Sequence, residues 1–294
     1  MGSDGSEPGR DTRLLPASEN AKRFFADAGP RVPALLYHHV GPSRTGTHRN
    51  LTVSPRRFEE QMRWVARRGY VSVKPSDWLR WIRGGEDLPE KPILLTFDDA
   101  YADTAEYGLP IVRKYGFSCV VFLVTQRLGG TNTWDQASGV EPLQLMTAEQ
   151  IRHWAGQGIE FGAHSRTHVD LTQLSSAECA EEITGSKNDL IALLGSPVAS
   201  FAYPYGKHNE TVRKSVRQEF DLAFTAEEGM NDLRTDPHLL RRTLVRANDS
   251  LVHFALIAHS GLRVSGWRVR LAVRTRFKKM LRRLTQQASK RSSE

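Results

Sequence analysis

Cysteine is nearly absent from this chain: Cys119 and Cys179 are the only two in 294 residues. Two thiols cannot build a disulfide scaffold or a four-thiolate zinc site. Cys119 stands beside Val120, Val121 and Phe122, where a packed thiol is the default reading. Long apolar runs are missing as well, and no stretch approaches the ~20 consecutive apolar residues of a membrane-spanning helix. The opening residues MGSDGSEPGR carry no apolar region of a secretory signal, so a cytoplasmic location is the expectation. No internal repeat and no low-complexity segment is seen. What is there is ordinary for a soluble globular protein, with 39% hydrophobic and 25% charged residues.

The net charge of +8 is not evenly spread. Eleven basic residues and no acid fall between Arg263 and Arg291, and the rest of the chain has 30 basic against 33 acidic residues. The basicity is therefore an appendage, and no nucleic-acid partner is expected from it. Within it, Trp267, Leu271, Phe277, Leu281 and Leu284 recur at near-helical spacing among arginines and lysines. A basic amphipathic helix of this kind can lie on an anionic membrane surface, which would place the protein at the periphery of the inner leaflet. A solvated basic tail is the bland alternative. The expected organisation is a polar arm over residues 1–31, one domain over 32–262 and a basic tail over 263–294.

Between arm and tail, short apolar runs alternate with amphipathic segments. Strands are expected at 34–37, 93–97, 117–124, 159–162, 198–203, 222–225 and 239–245. Helices are expected at 55–68, around 103–115, from Thr147 to Ala155, from Ser175 to near Gly195, at 210–219 and near 250–258. The first helix has Ser54 as N-cap, Pro55 at its first position and an apolar stripe of Phe58, Met62 and Val65. Thr147 with Gln150, and Ser175 with Glu178, have the spacing of capping boxes. Strand runs without polar alternation, separated by helices, indicate a parallel sheet covered on both faces. The fold class is α/β, and seven or so strands in one domain suit an incomplete barrel.

The polar clusters sit at the ends of these strands. Asp98 and Asp99 follow the run 93–97, His164 and His168 follow 159–162, Tyr203-Pro204-Tyr205-Gly206 closes the run from Val198, and His38-His39 closes the first. Taken one at a time, these are a helix cap, a pair of packed histidines and a rigid turn. In parallel α/β folds, however, ligands and catalytic groups gather at the carboxyl ends of strands, and four strands here deliver polar ends to one rim. Adjacent carboxylates can divide labour, one binding a cation while its neighbour takes a proton from water. Two imidazoles and one carboxylate make a three-ligand site with open positions, as in catalytic zinc centres. A histidine near neutrality can protonate a leaving nitrogen. Such a site is equipped to hydrolyse an amide.

Thr96-Phe97-Asp98-Asp99-Ala100-Tyr101, His164-Ser165-Arg166-Thr167-His168 and Tyr203-Pro204-Tyr205-Gly206 resemble the first three motifs of the polysaccharide deacetylases (carbohydrate esterase family 4). Leu36-Tyr37-His38-His39-Val40 is similar to the opening of the branch with the exopolysaccharide and poly-N-acetylglucosamine deacetylases, and the likeness spans about residues 33–260. It implies an incomplete (β/α)7 barrel and the metal-dependent removal of N-acetyl groups from an N-acetylglucosamine-containing glycan. It further implies Asp98 as general base, and Asp99, His164 and His168 as ligands of a divalent ion, zinc foremost, with cobalt, nickel or iron able to serve. The backbone N–H of Tyr205 would hold the oxyanion and His38 would be the general acid, with His39 as second choice. Tyr203, Pro204, His39 and Trp134 would meet the substrate.

The chain departs from the family pattern in three places. Ala100 replaces the usual glycine after the paired aspartates, which is expected to fit only with a negative φ. Ser200-Phe201-Ala202 occupies the stretch where an arginine commonly restrains the base, leaving Arg242 as a distant candidate. The family's aspartate-tryptophan motif has no clear match; Trp134-Asp135 lies in the corresponding loop, and Trp134 would either stack on a sugar or simply pack. Two rival functions are a catalytically silent glycan-binding protein of the same fold and a non-haem iron oxygenase, which shares the two-histidine, one-carboxylate set but normally sits on a jelly roll.

Overall fold

In the computed structural model, residues 29–44, 46–138 and 142–263 are described. The polar arm (bar its last three residues) and the basic amphipathic tail beyond Arg263 lie outside them. The chain begins its sheet with β1 (Val32–Tyr37), followed by the short parallel pair β2 (His39–Val40) and β3 (Thr52–Val53). Then come α1 (Pro55–Arg67), β4 (Val71–Val73), α2 (Pro75–Ile82), β5 (Pro92–Phe97), a π-turn at Thr104–Gly108 running into α3 (Leu109–Lys114), and β6 (Val120–Leu123). The remaining elements are α4 (Ala148–Gly156), β7 (Glu160–Ala163), α5 (Ser176–Leu194), β8 (Ser200–Ala202), α6 (Glu210–Glu219), β9 (Leu222–Phe224), β10 (Met230–Asn231), β11 (Thr243–Leu244) and α7 (Leu251–Ser260).

The strands run β1-β5-β6-β7-β8-β9, every neighbouring pair parallel. β11 pairs in parallel with the other edge of β1, Leu35 opposite Thr243. Three residues earlier, Leu240 bridges in parallel to Phe224 at the end of β9. The segment 240–244 thus links the last strand to the first, and the sheet curls into an incomplete (β/α)7 barrel. The expected strand at 239–245 is accordingly broken. Between its two pairings Arg241 N–H donates to the Asn231 side chain and Arg242 N–H to the Glu227 carbonyl, so the ladder is interrupted at the residue whose side chain enters the barrel.

The helix ends follow local chemistry. Ser54 Oγ accepts from Arg57 N–H, both capping boxes form, and α5 stops where Gly195 turns left-handed at φ 65°. β4, α2 and the β2–β3 pair carry too few residues to show a period and were not expected from the sequence. α2 nevertheless matters to the core, because its buried Trp78 and Trp81 pack with Val32, Ala34, Leu94, Phe122 and Phe224.

Those last residues belong to the inward-facing parity of the barrel strands, whereas Leu35, Tyr37, Leu95, Phe97 and Val121 pack outward against the helices. Side chains alternate faces along a strand, so the positions sharing the inner face with Ala34 and Leu94 continue to His38 and Asp98. His164 shares the inner parity with Gly162 in the same way. A side chain at Gly162 would meet Phe122 at 2.5 Å and Ser200 Oγ at 2.7 Å. The interior below is filled mostly by apolar side chains with a few hydroxyls such as those of Thr96 and Ser200, and the ionisable groups gather at the upper rim.

Candidate active site

Register brings the rim residues to one level. Tyr37 pairs with Phe97, so the Asp98 N–H donates to the Tyr37 carbonyl at 3.0 Å; Leu123 pairs with Ala163, so the His164 N–H donates to the Leu123 carbonyl at 2.9 Å. There the barrel mouth opens into a cleft of about 400 Å³ lined by His38, Asp98, Asp99, His164, His168 and Tyr205, among others.

Asp99, His164 and His168, all nearly buried, each turn one ligand atom to a common point. Asp99 Oδ1 lies 3.5 Å from His164 Nε2 and 3.3 Å from His168 Nε2. Bonds of the length usual for zinc, about 2.0–2.1 Å, at tetrahedral angles separate ligand atoms by about 3.3 Å. His164 Nδ1 sits 2.7 Å from the Ala202 carbonyl, which accepts only from an N–H. The proton is thereby fixed on Nδ1, and Nε2 presents its lone pair to a carboxylate oxygen that has no hydrogen-bond donor of its own. Asp99 Oδ1 and His164 Nε2 are acceptors facing one another in a buried place, with His168 Nε2 beside them, and this is suited to a cation, so these residues fit a divalent ion. Burial pushes the His164 pKa down to about 4, against the pull of Asp98. Burial would raise the Asp99 carboxyl, but His168, His38 and His164 outweigh it and hold the group ionised.

The backbone carries the cost of this convergence. Among the described residues, the non-glycine positions with positive φ are Asp99 (70°), Ala100 (57°), Ser165 (62°), His168 (64°) and Tyr205 (59°), all within the three motifs. Each left-handed residue with a side chain costs on the order of 1–2 kcal/mol and persists only where the surroundings hold it. Ala100 therefore corrects the expectation of a negative φ. Asp99 and Ala100 must both turn left-handed to place Asp99 in the cluster, and a buried methyl is tolerated there at some strain. The loop of the two histidines is held by α5: Glu182 accepts from the N–H groups of Arg166 (2.9 Å) and Thr167 (3.0 Å) and from the Thr167 hydroxyl (2.7 Å).

Asp98 stands beside the cluster, its Oδ2 3.9 Å from His164 Nε2, and its carboxylate is held in a clamp. Arg242 Nη1 and Nη2 donate to its two oxygens at 2.6 and 2.9 Å, and Arg242 Nε donates to the Thr225 carbonyl at 2.9 Å. Both partners are buried. Burial raises the Asp98 pKa, yet the charges of Arg242 and His164 reverse the shift and hold it below the usual carboxylate range. The restraint that the sequence lacks before Tyr203 is thus supplied from the segment that closes the barrel.

The other expected residues divide. His38 and Tyr205 line the cleft, Tyr205 half exposed, and burial lowers the His38 pKa against the opposing pull of Asp99 and Asp98. Trp134 also lines it, with its ring stacked on His168 at 4.6 Å, so packing on a ligand and facing the cleft are combined in one side chain. His39, Tyr203 and Pro204 do not reach the cleft. His39 is fully buried behind it, because its β2 neighbours pair with β3 and turn its ring onto Tyr101; Tyr203 is buried with its hydroxyl donated to the His238 carbonyl. Sequence reasoning missed His48, Tyr101 and Asp135 as cleft residues. No spacing marks His48, whereas Tyr101 closes the motif of the paired aspartates and Asp135 adjoins Trp134.

A parallel α/β barrel with a three-ligand cation cluster and a separate clamped carboxylate at its mouth is the layout of a hydrolase. The polysaccharide deacetylase family profile matches residues 85–220. A Bacillus subtilis protein, YxkH, whose name places it provisionally in this family, is 24% identical over 216 residues, 73% of this chain and 71% of its own. The poly-β-1,6-N-acetyl-D-glucosamine N-deacetylase of Staphylococcus epidermidis is 23% identical over 69% of this chain and 70% of its own. The Streptococcus pyogenes deacetylase PplD, solved in complex with acetate, superposes with a TM-score of 0.66 at 25% identity, covering 76% of this chain and 96% of PplD. Residues 85–220 thus match the polysaccharide deacetylase family, and the proteins the chain is similar to include a poly-N-acetylglucosamine deacetylase of the exopolysaccharide branch.

Proposed function

We propose that this protein hydrolyses the N-acetyl amide of an N-acetylglucosamine-containing glycan, releasing acetate, and that it does so with a divalent ion held by Asp99, His164 and His168. The observation that carries the reading is the pairing of that cluster with Asp98, a buried carboxylate clamped by Arg242 beside it and free of ligand duty. A divalent ion in this place supplies a Lewis acid for the amide carbonyl and makes water more acidic. Asp98 accepts the proton of the attacking water. Oxygen bonds to the carbonyl carbon, and the Tyr205 N–H donates to the oxygen that gathers charge, an interaction worth about 3 kcal/mol in comparable sites. His38 donates a proton to the sugar nitrogen as the C–N bond breaks, leaving a free amine and acetate.

The test is acetate release from N-acetylglucosamine oligomers, with and without chelator, read beside metal content. The expected results are release that chelator abolishes, an Asp98→Asn variant that keeps its metal without turnover, and a His164→Ala variant that loses both. A metal-free His164→Ala protein with full activity overturns the assignment. The silent glycan-binding alternative predicts no acetate from the wild type under any metal, and an iron oxygenase would consume oxygen. The parallel barrel speaks against the latter.

A further inference from the structure

Beside the cation cluster, the cleft wall carries a second polar chain that the deacetylation steps do not use. Asp103 Oδ2 lies 3.2 Å from His39 Nδ1, His39 Nε2 lies 3.1 Å from His48 Nδ1, and His48 Nε2 faces Asn132 and Asp135 at the cleft. Hydrogen-bond roles propagate along this chain. Asp103 only accepts, so His39 carries its proton on Nδ1 and leaves Nε2 as an acceptor. His48 must then carry its proton on Nδ1, and its Nε2 is left as a lone pair at the cleft wall. The His39 ring is fixed further by stacking on Tyr101 at 3.7 Å between centroids.

Among the described residues, Asn132 is the donor within hydrogen-bond distance of that lone pair. Asn132 has its orientation set, because its Oδ1 accepts from the Leu143 N–H. Its two Nδ2 hydrogens are spread over three acceptors: Asp135 Oδ2 at 2.9 Å, His48 Nε2 at 3.3 Å and the Tyr101 hydroxyl at 3.4 Å. Two acceptors, the His48 imidazole and the Asp135 carboxylate, therefore stand together at the cleft wall with fewer donors than they can receive. Trp134, next in the chain to Asp135, offers an aromatic surface beside them.

We propose that His48 Nε2 and Asp135 form a hydroxyl-recognising subsite for the sugar ring whose acetamide is being cleaved, and that Asp103 and His39 are positioning residues which fix the His48 tautomer. The subsite rests on the deacetylase reading and specifies how the glycan is oriented. Sugar hydroxyls can donate to the acceptor capacity that the shared Asn132 amide leaves open, and a site whose buried acceptors are completed by such hydroxyls discriminates against carriers without them. An acetyl group on a carrier without sugar hydroxyls gains nothing from it.

The test compares metal-loaded wild type and variants on a β-1,6-linked N-acetylglucosamine tetramer and on 4-methylumbelliferyl acetate. His48→Ala is expected to raise KM for the tetramer about tenfold to hundredfold, and to lower the tetramer-to-ester ratio of kcat/KM by at least about tenfold. His39→Phe keeps the ring on Tyr101 but removes the acceptor for His48, and it is expected to lower the ratio by a smaller factor. Asp103→Leu does the same, and Asp103→Asn, whose amide oxygen still accepts from His39, restores the ratio. A ratio unchanged in a folded, metal-loaded His48→Ala protein overturns the subsite while leaving the deacetylase reading intact. Wild-type inactivity on the tetramer under every metal overturns both.

Discussion

Asp98 and Arg242 carry opposite charges in one buried clamp, and this changes how a substitution there must be read. A buried pair is costly to break, because the remaining charge has neither water nor partner. Asp98→Asn removes the base but also leaves the Arg242 guanidinium uncompensated, at a cost on the order of 3 kcal/mol. For a domain of this size that lowers Tm by about 10 °C, and adding Arg242→Met should return most of the loss without returning activity. Thermal unfolding of the single and double variants beside acetate release checks this; equal Tm values for wild type and Asp98→Asn would show that the clamp contributes no net stability. The pair also shows where reading residues in order reaches its limit. Asp98 announces itself at a strand end next to another aspartate, whereas Arg242 lies 144 residues away in a stretch with no motif. Ala100 is a smaller case: its replacement of glycine is plain, but its φ of 57° follows from where Asp99 has to point.

Among elements, α5 has a part beyond packing. Its Glu182 holds the loop that carries both histidine ligands through three hydrogen bonds, two of them to backbone N–H groups. Outer partners of ligating groups commonly affect metal affinity by about 10–100-fold. Glu182→Ala is accordingly expected to weaken binding of zinc to the folded protein by about that factor while α5 stays helical; zinc titration with circular dichroism reads the two separately, and unchanged affinity would reject the role. Helix starts were legible because capping is local: Ser54, Thr147 and Ser175 each meet a donor three residues on. β4, α2 and β10 were not legible, since elements this short owe their existence to neighbours. β10, for example, is two residues pairing antiparallel with the start of β1, about 200 positions earlier.

For the molecule as a whole, the buried histidines set an acid limit. His164 is held neutral by burial, with a pKa near 4 against the usual 6.5, and burial lowers His38 as well. Below the usual value the unfolded chain binds protons that the folded chain refuses, so stability is fully present above pH 6.5 and is lost as pH falls toward 4. From His164 alone the loss in the chelated, metal-free protein is on the order of 3 kcal/mol. Urea unfolding at several pH values tests it, and His164→Gln should flatten the slope by about one proton; a slope that is the same in both proteins would count against a neutral buried imidazole.

Alternation of apolar runs with capped helices, and polar pairs standing at strand ends, determined the α/β class and set one of Asp98 and Asp99 beside His164 and His168 as candidate ligands from sequence alone, the choice of Asp99 being what the family resemblance implied. These features depend on neighbours in the chain, with periods of two and of 3.6 residues and caps spanning three. Only the tertiary structure decided which strand edges meet through residues 240–244, that Arg242 clamps Asp98, that His39 stands behind the cleft and that His48 and Asp135 face it. Those outcomes depend on sheet closure and strand register, which join residues far apart in sequence by contacts that no local pattern encodes.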